Sequence, residues 1–337
     1  MTYTKGMIKY YKTLKEKERI VCLLCGHYCQ LKEGQIGICG VNKNENGALK
    51  NLVYGHPVAL NVDPVEKKPI YHLLPGSKAL SFGTVGCNFK CPFCQNWDIS
   101  QETHINKQIE VSPERMVDLA FEHGAASIAY TYNEPTIFYP YAKDIGMIAR
   151  ERGLKNIFVS NGFESKEIVA DMPGWLDAAN IDLKSWDDAY YKKVLKGGLE
   201  EVKETLRRMV GEGIWVEVTT LIIPGENDSD SDLHEIAEFI ANDLGKHVPW
   251  HLSAFHPDYK MLDHEATGLE TLMRAKKIGE EAGLHYIYLG NVPVHGDTHC
   301  PDCGELLIDR TGYSVTLNKL ENGHCPKCKR EIEGIWK

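Results

Sequence analysis

The sequence of 337 residues lacks three features that would each indicate a particular class of protein. It has no apolar run near the roughly 18 residues that a transmembrane helix needs, and residues 1–20 are rich in lysine without the apolar stretch of a secretory signal. It also has no basic excess, because 47 Asp and Glu outnumber 38 Lys and Arg, whereas nucleic-acid binders usually carry a basic face. We therefore expect a cytoplasmic protein whose main function is not binding to a membrane or to nucleic acid.

Cysteine is the residue type whose number is unusual. Eleven cysteines cannot all pair as disulfides, and the chain is far longer than the small secreted domains that disulfides stabilise. They fall into groups of four, three and four along the chain. This distribution predicts metal sites in a reducing compartment.

The middle of the chain alternates short apolar runs with stretches of helical period. Apolar residues at consecutive positions are typical of strands buried on both faces, and helical stretches between them predict parallel strands with right-handed crossovers. An open doubly wound sheet would fit, but a partial (β/α)6 TIM-like barrel fits the number of repeats best, because about 210 residues are few for eight units. The predicted strands are 79–84, 127–131, 156–160, 178–183, 215–222, 251–255 and 286–289. The predicted helices are 114–123, 140–152, 231–244 and 267–282, each followed by a glycine.

Composition divides the chain into three parts. Residues 1–76 form a Cys-rich N-terminal segment, residues 77–295 form the α/β barrel, and residues 296–337 form a Cys-rich tail.

The central cysteines, Cys87, Cys91 and Cys94, form a C-x3-C-x2-C motif in the loop that leaves the first predicted strand. Three thiolates from one loop can hold three irons of a [4Fe–4S] cluster and leave the fourth iron without a protein ligand. An open position on a metal is where chemistry takes place. The alternatives are a zinc loop that a distant histidine completes, and buried thiols without a metal.

This loop resembles that of the radical S-adenosylmethionine (SAM) superfamily, in which the unique iron binds the methionine moiety of SAM. The resemblance implies a partial (β/α)6 barrel, a [4Fe–4S] cluster and SAM as cofactors. It also implies reductive cleavage of SAM to a 5′-deoxyadenosyl radical, which takes a hydrogen atom from the substrate. Phe93, just before the third cysteine, would then pack on the adenine.

Polar residues follow the second and third predicted strands, and ligands of barrel enzymes gather at such strand ends. Asn133 and Glu134 stand in the place of the superfamily's Gly-Gly-Glu motif, so we expect their side chains to contact SAM. The alternative is an ordinary strand-to-helix turn. Ser160 and Asn161, after the third strand, are further candidates for binding the cofactor.

Three residues of later strands are candidates for catalysis. Asp182 and Lys184 lie on one face of the fourth strand, where two inward charges are costly unless they pair or bind a ligand. The Asp-Leu-Lys sequence resembles that of glycyl-radical-enzyme activases, in which the pair lies beside SAM; the alternative is a structural ion pair. His256, after the sixth strand, stands where the activases meet their substrate peptide, although packing would explain a lone histidine equally well.

The tail contains two C-x2-C pairs, which are Cys300 with Cys303 and Cys325 with Cys328. Four thiolates at this separation are typical of a zinc ribbon, and so small a module needs a metal in order to fold. We predict structural zinc, with rubredoxin-like iron as the competing interpretation.

The N-terminal group consists of Cys22, Cys25, Cys29 and Cys39. Four ligands can close a site, but their spacing is not that of a ribbon. Structural zinc and an auxiliary iron–sulfur cluster both remain open, and zinc is slightly favoured because nothing indicates an open coordination position.

The whole arrangement resembles the radical SAM enzymes of the AmmeMemoRadiSam system, a group similar to pyruvate formate-lyase activating enzymes. The resemblance spans nearly the whole chain and implies companions of the Memo and AMMECR types, together with a reductant such as ferredoxin or flavodoxin. The substrate stays open between a glycine of a partner enzyme and a small molecule, lipid or nucleobase. The competing hypothesis of another class is a metal-bound structural or interaction module.

Overall fold

The computed structural model describes residues 7–8, 10–14 and 19–337. Most of residues 1–20, for which the sequence predicts no secretory signal, lie outside this described part. The strands are β1 (Met7–Ile8), β2 (Tyr11–Thr13), β3 (Ile20–Cys22), β4 (Gln30–Leu31), β5 (Asn42–Glu45), β6 (Ala48–Asn51), β7 (Ala59–Pro64), β8 (Lys78–Gly83), β9 (Ser127–Tyr130), β10 (Lys155–Ser160), β11 (Ala178–Asp182), β12 (Trp215–Ile222), β13 (Trp250–Ala254), β14 (Ile287–Gly290), β15 (Thr298–His299), β16 (Leu306–Thr311) and β17 (Ser314–Asn318). The α-helices are α1 (Trp97–Ser100), α2 (Pro113–Glu122), α3 (Tyr139–Glu151), α4 (Lys166–Val169), α5 (Asp188–Tyr190), α6 (Leu199–Gly211), α7 (Asp230–Phe239) and α8 (Leu269–Glu281). Turns of 3-10 helix cover Val65–Lys67 and Pro135–Phe138, and π-helical turns cover Tyr191–Leu195 and Ile240–Gly245.

The core of the fold is an eight-stranded sheet in the order β14-β13-β12-β11-β10-β9-β8-β7. Strands β8 to β14 are parallel to their neighbours, and β7 pairs antiparallel with β8. Because β7 and β14 lie at opposite edges, the barrel is not closed. The predicted α/β class and incompletely closed barrel are confirmed, with seven parallel strands rather than six.

All seven predicted strands are present, with ends within one residue of the prediction. β8 and β9 show why, since nearly every residue in them is buried and the strands read as continuous apolar runs. The edge strand β7 was not predicted. Its side chains, including Leu60 and Val62, are mostly exposed, and Pro64 ends it, which an edge position tolerates.

The helices begin and end close to where the sequence predicts. Ser112 caps α2 by accepting a hydrogen bond from the backbone N–H of Arg115. Gly124 follows that helix with a φ of +66°, the left-handed conformation that glycine adopts without strain. The predicted helix 231–244 is divided, because α7 ends at Phe239 and a π-helical turn continues to Gly245.

Three small antiparallel sheets flank the central one. Two of them, β1-β6-β5 and β2-β3-β4, belong to the N-terminal segment, and β15-β16-β17 forms the tail. No helix in the described residues is long and apolar enough to cross a membrane.

Candidate active site

The three central cysteines lie on a loop after β8, here called the cluster loop (residues 86–94). Gly86 begins it with a φ of +87°. A Cβ there would clash with the carbonyl oxygen of Cys39, so that only glycine fits against the N-terminal segment. Cys87 and Cys91 are buried and Cys94 is half-buried, its sulfur 3.2 Å from Ser100 Oγ. The fold thus brings three thiols together at the carboxyl end of the sheet.

A cavity of about 410 Å³ opens beside these thiols. Parallel strands contribute their carboxyl ends to its wall, which is where barrel folds place their ligands. Of the predicted site residues, those that line it are Cys87, Cys91, Phe93, Cys94, Asn133, Ser160, Asn161, Asp182 and Lys184.

Asp182 and Lys184 form an ion pair on the cavity wall. Lys184 Nζ lies 2.6 Å from Asp182 Oδ2 and 5.8 Å from the centre of the Phe93 ring. Burial opposes a charge on Lys184, but the charge and hydrogen bond of Asp182, together with the nearby Cys91, raise the pKa of the ammonium. The cavity therefore presents an ion pair beside an aromatic ring.

Two asparagines fasten the cluster loop to the strand ends. Asn133 Nδ2 donates to the carbonyl oxygen of Gly86 at 2.8 Å, and Asn161 Nδ2 donates to Asn88 Oδ1 at the same distance. Both side chains also line the cavity. They are thus placed to position the loop as well as to contact a ligand.

Glu134 lies one layer outside the cavity wall. Its side chain is fully buried and accepts hydrogen bonds from the backbone N–H groups of Thr136 (3.0 Å) and Asn161 (2.8 Å). Ser160 Oγ lies 2.9 Å from it and 2.6 Å from a second buried carboxyl group, that of Glu164. Burial raises the pKa of both carboxyl groups. The expected contact between Glu134 and SAM stays a prediction.

His256 is exposed at the rim. Its Nε2 lies 2.9 Å from the side-chain nitrogen of Gln95, which follows the cluster loop and lines the cavity. The histidine is therefore placed for contact with a bound molecule at the mouth rather than with one deep inside.

A buried carboxylate stands behind the floor of the cavity. Glu217 Oε2 lies 2.6 Å from Nε2 of His251, a residue of the cavity lining. Burial opposes the charge of Glu217, but His251 and the backbone N–H groups of Tyr71 and His72 stabilise it and lower its pKa to about 2. This carboxylate fixes the orientation of the histidine ring.

Sequence reasoning missed two parts of the wall. Lys68 comes from the segment before β8 and pairs with Asp63 at 2.6 Å, while Tyr132 donates to the same carboxylate at 2.8 Å. Tyr313 reaches the cavity from the tail. No spacing in the sequence indicates either contribution, because both depend on how the N-terminal segment and the tail pack against the sheet.

The tail cysteines form a compact site. Cys300 Sγ lies 3.5 Å from Cys328 Sγ, Cys303 Sγ lies 3.7 Å from Cys325 Sγ, and all four sulfurs lie within 4.8 Å of one another. A tetrahedral ion with metal–sulfur bonds of about 2.3 Å holds its sulfurs roughly 3.8 Å apart. The tail therefore has the dimensions of a site for one tetrahedral metal ion.

Comparison with known proteins identifies the family. Residues 82–240, which include the cluster loop, Asn133, Asn161 and the Asp182–Lys184 pair, match the Radical SAM superfamily. The chain contains a radical SAM domain. Such a domain implies a [4Fe–4S] cluster and SAM as cofactors, as the resemblance in the sequence does.

Relatives extend the likeness of this radical SAM chain over most of its length. It is 42% identical over 330 residues to the uncharacterized protein MJ0808 of Methanocaldococcus jannaschii, covering 96% of this chain and 98% of the relative. It is 22% identical over 229 residues to the pyruvate formate-lyase-activating enzyme of Clostridium pasteurianum, covering 61% of this chain and 92% of that enzyme. A putative glycyl-radical enzyme activating enzyme of M. jannaschii is 24% identical over 227 residues, 64% of this chain and 80% of the relative.

Solved structures share the fold. A radical SAM methyltransferase from Sphaerobacter thermophilus superposes with a TM-score of 0.52 at 17% identity, covering 69% of this chain and 71% of that one. SuiB of Streptococcus suis, solved bound to the precursor peptide SuiA, superposes with a TM-score of 0.51 at 12% identity, covering 68% and 51% of the two chains. At these identities the likeness shows the fold alone.

Proposed function

We propose that this chain cleaves SAM reductively at a [4Fe–4S] cluster that Cys87, Cys91 and Cys94 would hold. The observation that carries the proposal is that these three thiols line the cavity at the carboxyl ends of the parallel strands. Three ligands suit a cluster with one iron left for SAM. When bound and reduced, the cluster supplies the electron that splits SAM into methionine and a 5′-deoxyadenosyl radical, which takes a hydrogen atom from the substrate.

The chemistry of the cluster loop fits this cofactor. Burial raises the pKa of the Cys87 and Cys91 thiols, so that thiolates there need positive charge beside them, and bound iron provides it. Within the described residues the buried Asn88 Nδ2 has no hydrogen-bond partner. Such a donor suits a cluster, because hydrogen bonds to its sulfurs are among the features that set its potential.

The cavity wall fits the second cofactor. SAM carries an ammonium, a carboxylate and an aromatic base, and the wall offers the Asp182–Lys184 ion pair and the ring of Phe93. We propose that Phe93 packs on the adenine and that Asp182 and Lys184 bind polar groups of SAM. Asn133 and Asn161 would hold the loop and contact the same ligand.

The hydrogen donor that we propose is a glycine of a partner protein, as the names of the activating-enzyme relatives suggest. His256 at the exposed rim supports a substrate that approaches from outside the cavity. A small molecule, lipid or nucleobase is the alternative. Memo-type and AMMECR-type proteins, which the sequence resemblance implies as companions, are candidate partners for either substrate, and a ferredoxin or flavodoxin would supply the electron.

The first experiment is anaerobic incubation of the reduced protein with SAM, followed by chromatography of the products. We expect 5′-deoxyadenosine and methionine in equal amounts, and a loss of both in Cys91→Ser. Arg115→Met, which breaks an exposed ion pair with Glu122 on α2, is the control and should keep the reaction. Undiminished 5′-deoxyadenosine from Cys91→Ser would show that the assigned cluster site is wrong.

The second experiment locates the hydrogen donor. With a candidate partner present, electron paramagnetic resonance (EPR) spectroscopy should detect a glycyl radical on the partner. Transfer of deuterium from a deuterium-labelled metabolite fraction into 5′-deoxyadenosine, with no radical on the partner, would instead support the small-molecule alternative.

A further inference from the structure

The four N-terminal cysteines, here called the head site (Cys22, Cys25, Cys29 and Cys39), come together around β3 and β4. The backbone N–H of Cys22 donates to the carbonyl oxygen of Cys29 at 2.9 Å, and Cys25 lies in the turn between them. A Cβ at Gly37 would lie 3.6 Å from Cys29 Sγ and 3.8 Å from Cys39 Sγ, so these two sulfurs flank one point. Three of the four cysteines are buried and Cys29 is half-buried. The arrangement encloses a thiol-lined site away from solvent.

The spacing of the sulfurs separates the three cysteine groups of the molecule. In the tail group, all four sulfurs lie within 4.8 Å of one another. No three sulfurs of the head site meet that limit, and neither do the three of the cluster loop. In this respect the head site differs from the tail, as the cluster loop also does.

The wider spacing indicates the kind of metal centre. One tetrahedral ion, whether zinc or rubredoxin-type iron, needs four sulfurs roughly 3.8 Å apart. In an iron–sulfur cube each thiolate binds a different iron, so the thiolates stand further apart than on one ion. His27, within the same segment, uses Nε2 in a contact of 2.9 Å with the carbonyl oxygen of Asn88. That nitrogen is therefore engaged outside the head site.

We propose that Cys22, Cys25, Cys29 and Cys39 hold a second [4Fe–4S] cluster. All four irons then have a protein ligand, so the cluster has no open position for SAM. The cofactor class is an auxiliary cluster that exchanges single electrons.

The head site touches the cluster loop directly. The carbonyl oxygen of Cys39 lies against Gly86, and His27 contacts the backbone of Asn88. A ferredoxin-class or flavodoxin-class donor could give an electron to the head cluster. To reach the cluster loop, that electron would cross the backbone contacts between Cys39 and Gly86 and between His27 and Asn88. The donor would lose one electron, and the cluster held by the head-site cysteines would accept it and pass it on to the cluster held by Cys87, Cys91 and Cys94. This relay role, unlike the cluster itself, rests on the function proposed above.

The test is elemental analysis of anaerobically purified full-length protein in which Cys87, Cys91 and Cys94 are all replaced by alanine. We expect about four irons and as many acid-labile sulfides per chain, with one zinc. Two zinc ions without iron, one iron without sulfide, or an empty head site would overturn the proposal. The assay does not require SAM cleavage, so its result is independent of the proposed function.

A second variant keeps the test valid if the triple variant does not fold. Replacing Cys22 and Cys25 by alanine should lower the iron content from about eight to about four per chain, whereas unchanged iron would overturn the proposal. EPR tests the contact between the sites, because two reduced clusters this close broaden each other's signals. That broadening should be present in the unmodified protein and absent from both variants, and its absence from the unmodified protein would contradict the placement of the second cluster.

Discussion

The ion pair between Arg310 and Glu66 joins the tail to the rest of the protein and allows a quantitative prediction. Both side chains are 0% exposed, and Arg310 Nε lies 3.5 Å from Glu66 Oε1. The guanidinium also donates to the carbonyl oxygen of Tyr71 at 2.7 Å and to Thr298 Oγ1 at 2.8 Å, and it lies 4.4 Å from the centre of the Tyr71 ring. One side chain thus connects β16 to the segment that leads into β8.

Replacing Arg310 by methionine leaves Glu66 buried without its counter-charge. Removing one partner of a buried ion pair costs about 3–5 kcal/mol, most of it from the uncompensated charge. Burial already raises the pKa of Glu66 against the opposing effect of Arg310, and its other oxygen has no hydrogen-bond partner in the described residues. We therefore expect Arg310→Met to lower the free energy of unfolding by an amount in that range.

The assay is equilibrium unfolding in denaturant under anaerobic conditions, with Arg310→Met, Glu66→Gln and the double variant compared. The double variant should be more stable than Arg310→Met alone, because the neutral amide removes the unpaired charge. Arg115→Met, which breaks an exposed pair with Glu122, is the matched control and should have a far smaller effect. A loss below 1 kcal/mol for Arg310→Met, or no recovery in the double variant, would refute the reasoning.

Three further predictions concern other parts of the chain. Burial lowers the pKa of His72 to about 4, so below pH 6.5 the unfolded chain binds a proton that the folded chain does not. The free energy of unfolding should therefore fall by up to about 1.4 kcal/mol per pH unit as the pH is lowered towards 4. His72→Gln, which can still bond to Tyr288, should flatten this slope in unfolding measurements between pH 4.5 and 7. Gly86→Ala places a Cβ against the carbonyl oxygen of Cys39 at positive φ, and we expect a lower melting temperature and less bound iron. Cys328→Ser should remove the zinc that we expect in the tail while the iron content stays the same, as measured by elemental analysis.

Each of these predictions has a contradicting result. An unchanged pH dependence in His72→Gln would mean that this ring does not titrate as described. Full stability and iron content in Gly86→Ala would show that the N-terminal segment does not press on the cluster loop. Iron in place of zinc in the tail, lost on replacing Cys328, would favour the rubredoxin-like interpretation.

The strands and the cysteine groups could be predicted from the sequence because local patterns determine them. β12 and its neighbours are buried over most of their length, so each reads as a short run rich in apolar and β-branched residues. The tail motif brings ligands together through short spacings. In the same way, alternation along the predicted fourth strand and just past its end places Asp182 and Lys184 on one face, and the structure pairs them.

Contacts between distant segments could not be predicted. β7 is an exposed edge strand, which leaves little hydrophobic pattern. Tyr313 reaches the cavity only because the tail folds back over the sheet. The Glu134 carboxylate, at the start of a 3-10 turn, accepts hydrogen bonds from the backbone N–H groups of Thr136 and Asn161, which no sequence pattern indicates. Its predicted contact with SAM stays a prediction. Such positions follow from packing, which composition and spacing do not encode.

The central claim is that SAM binds an iron of the cluster held by Cys87, Cys91 and Cys94. The most direct measurement is the EPR spectrum of the reduced protein before and after addition of SAM, in a variant with Cys22 and Cys25 replaced by serine, so that signals from the head site do not contribute. We predict one cluster signal that changes when SAM is added, because the ligands of one iron change. A cluster signal that SAM leaves unchanged, or no cluster signal at all, would contradict the account.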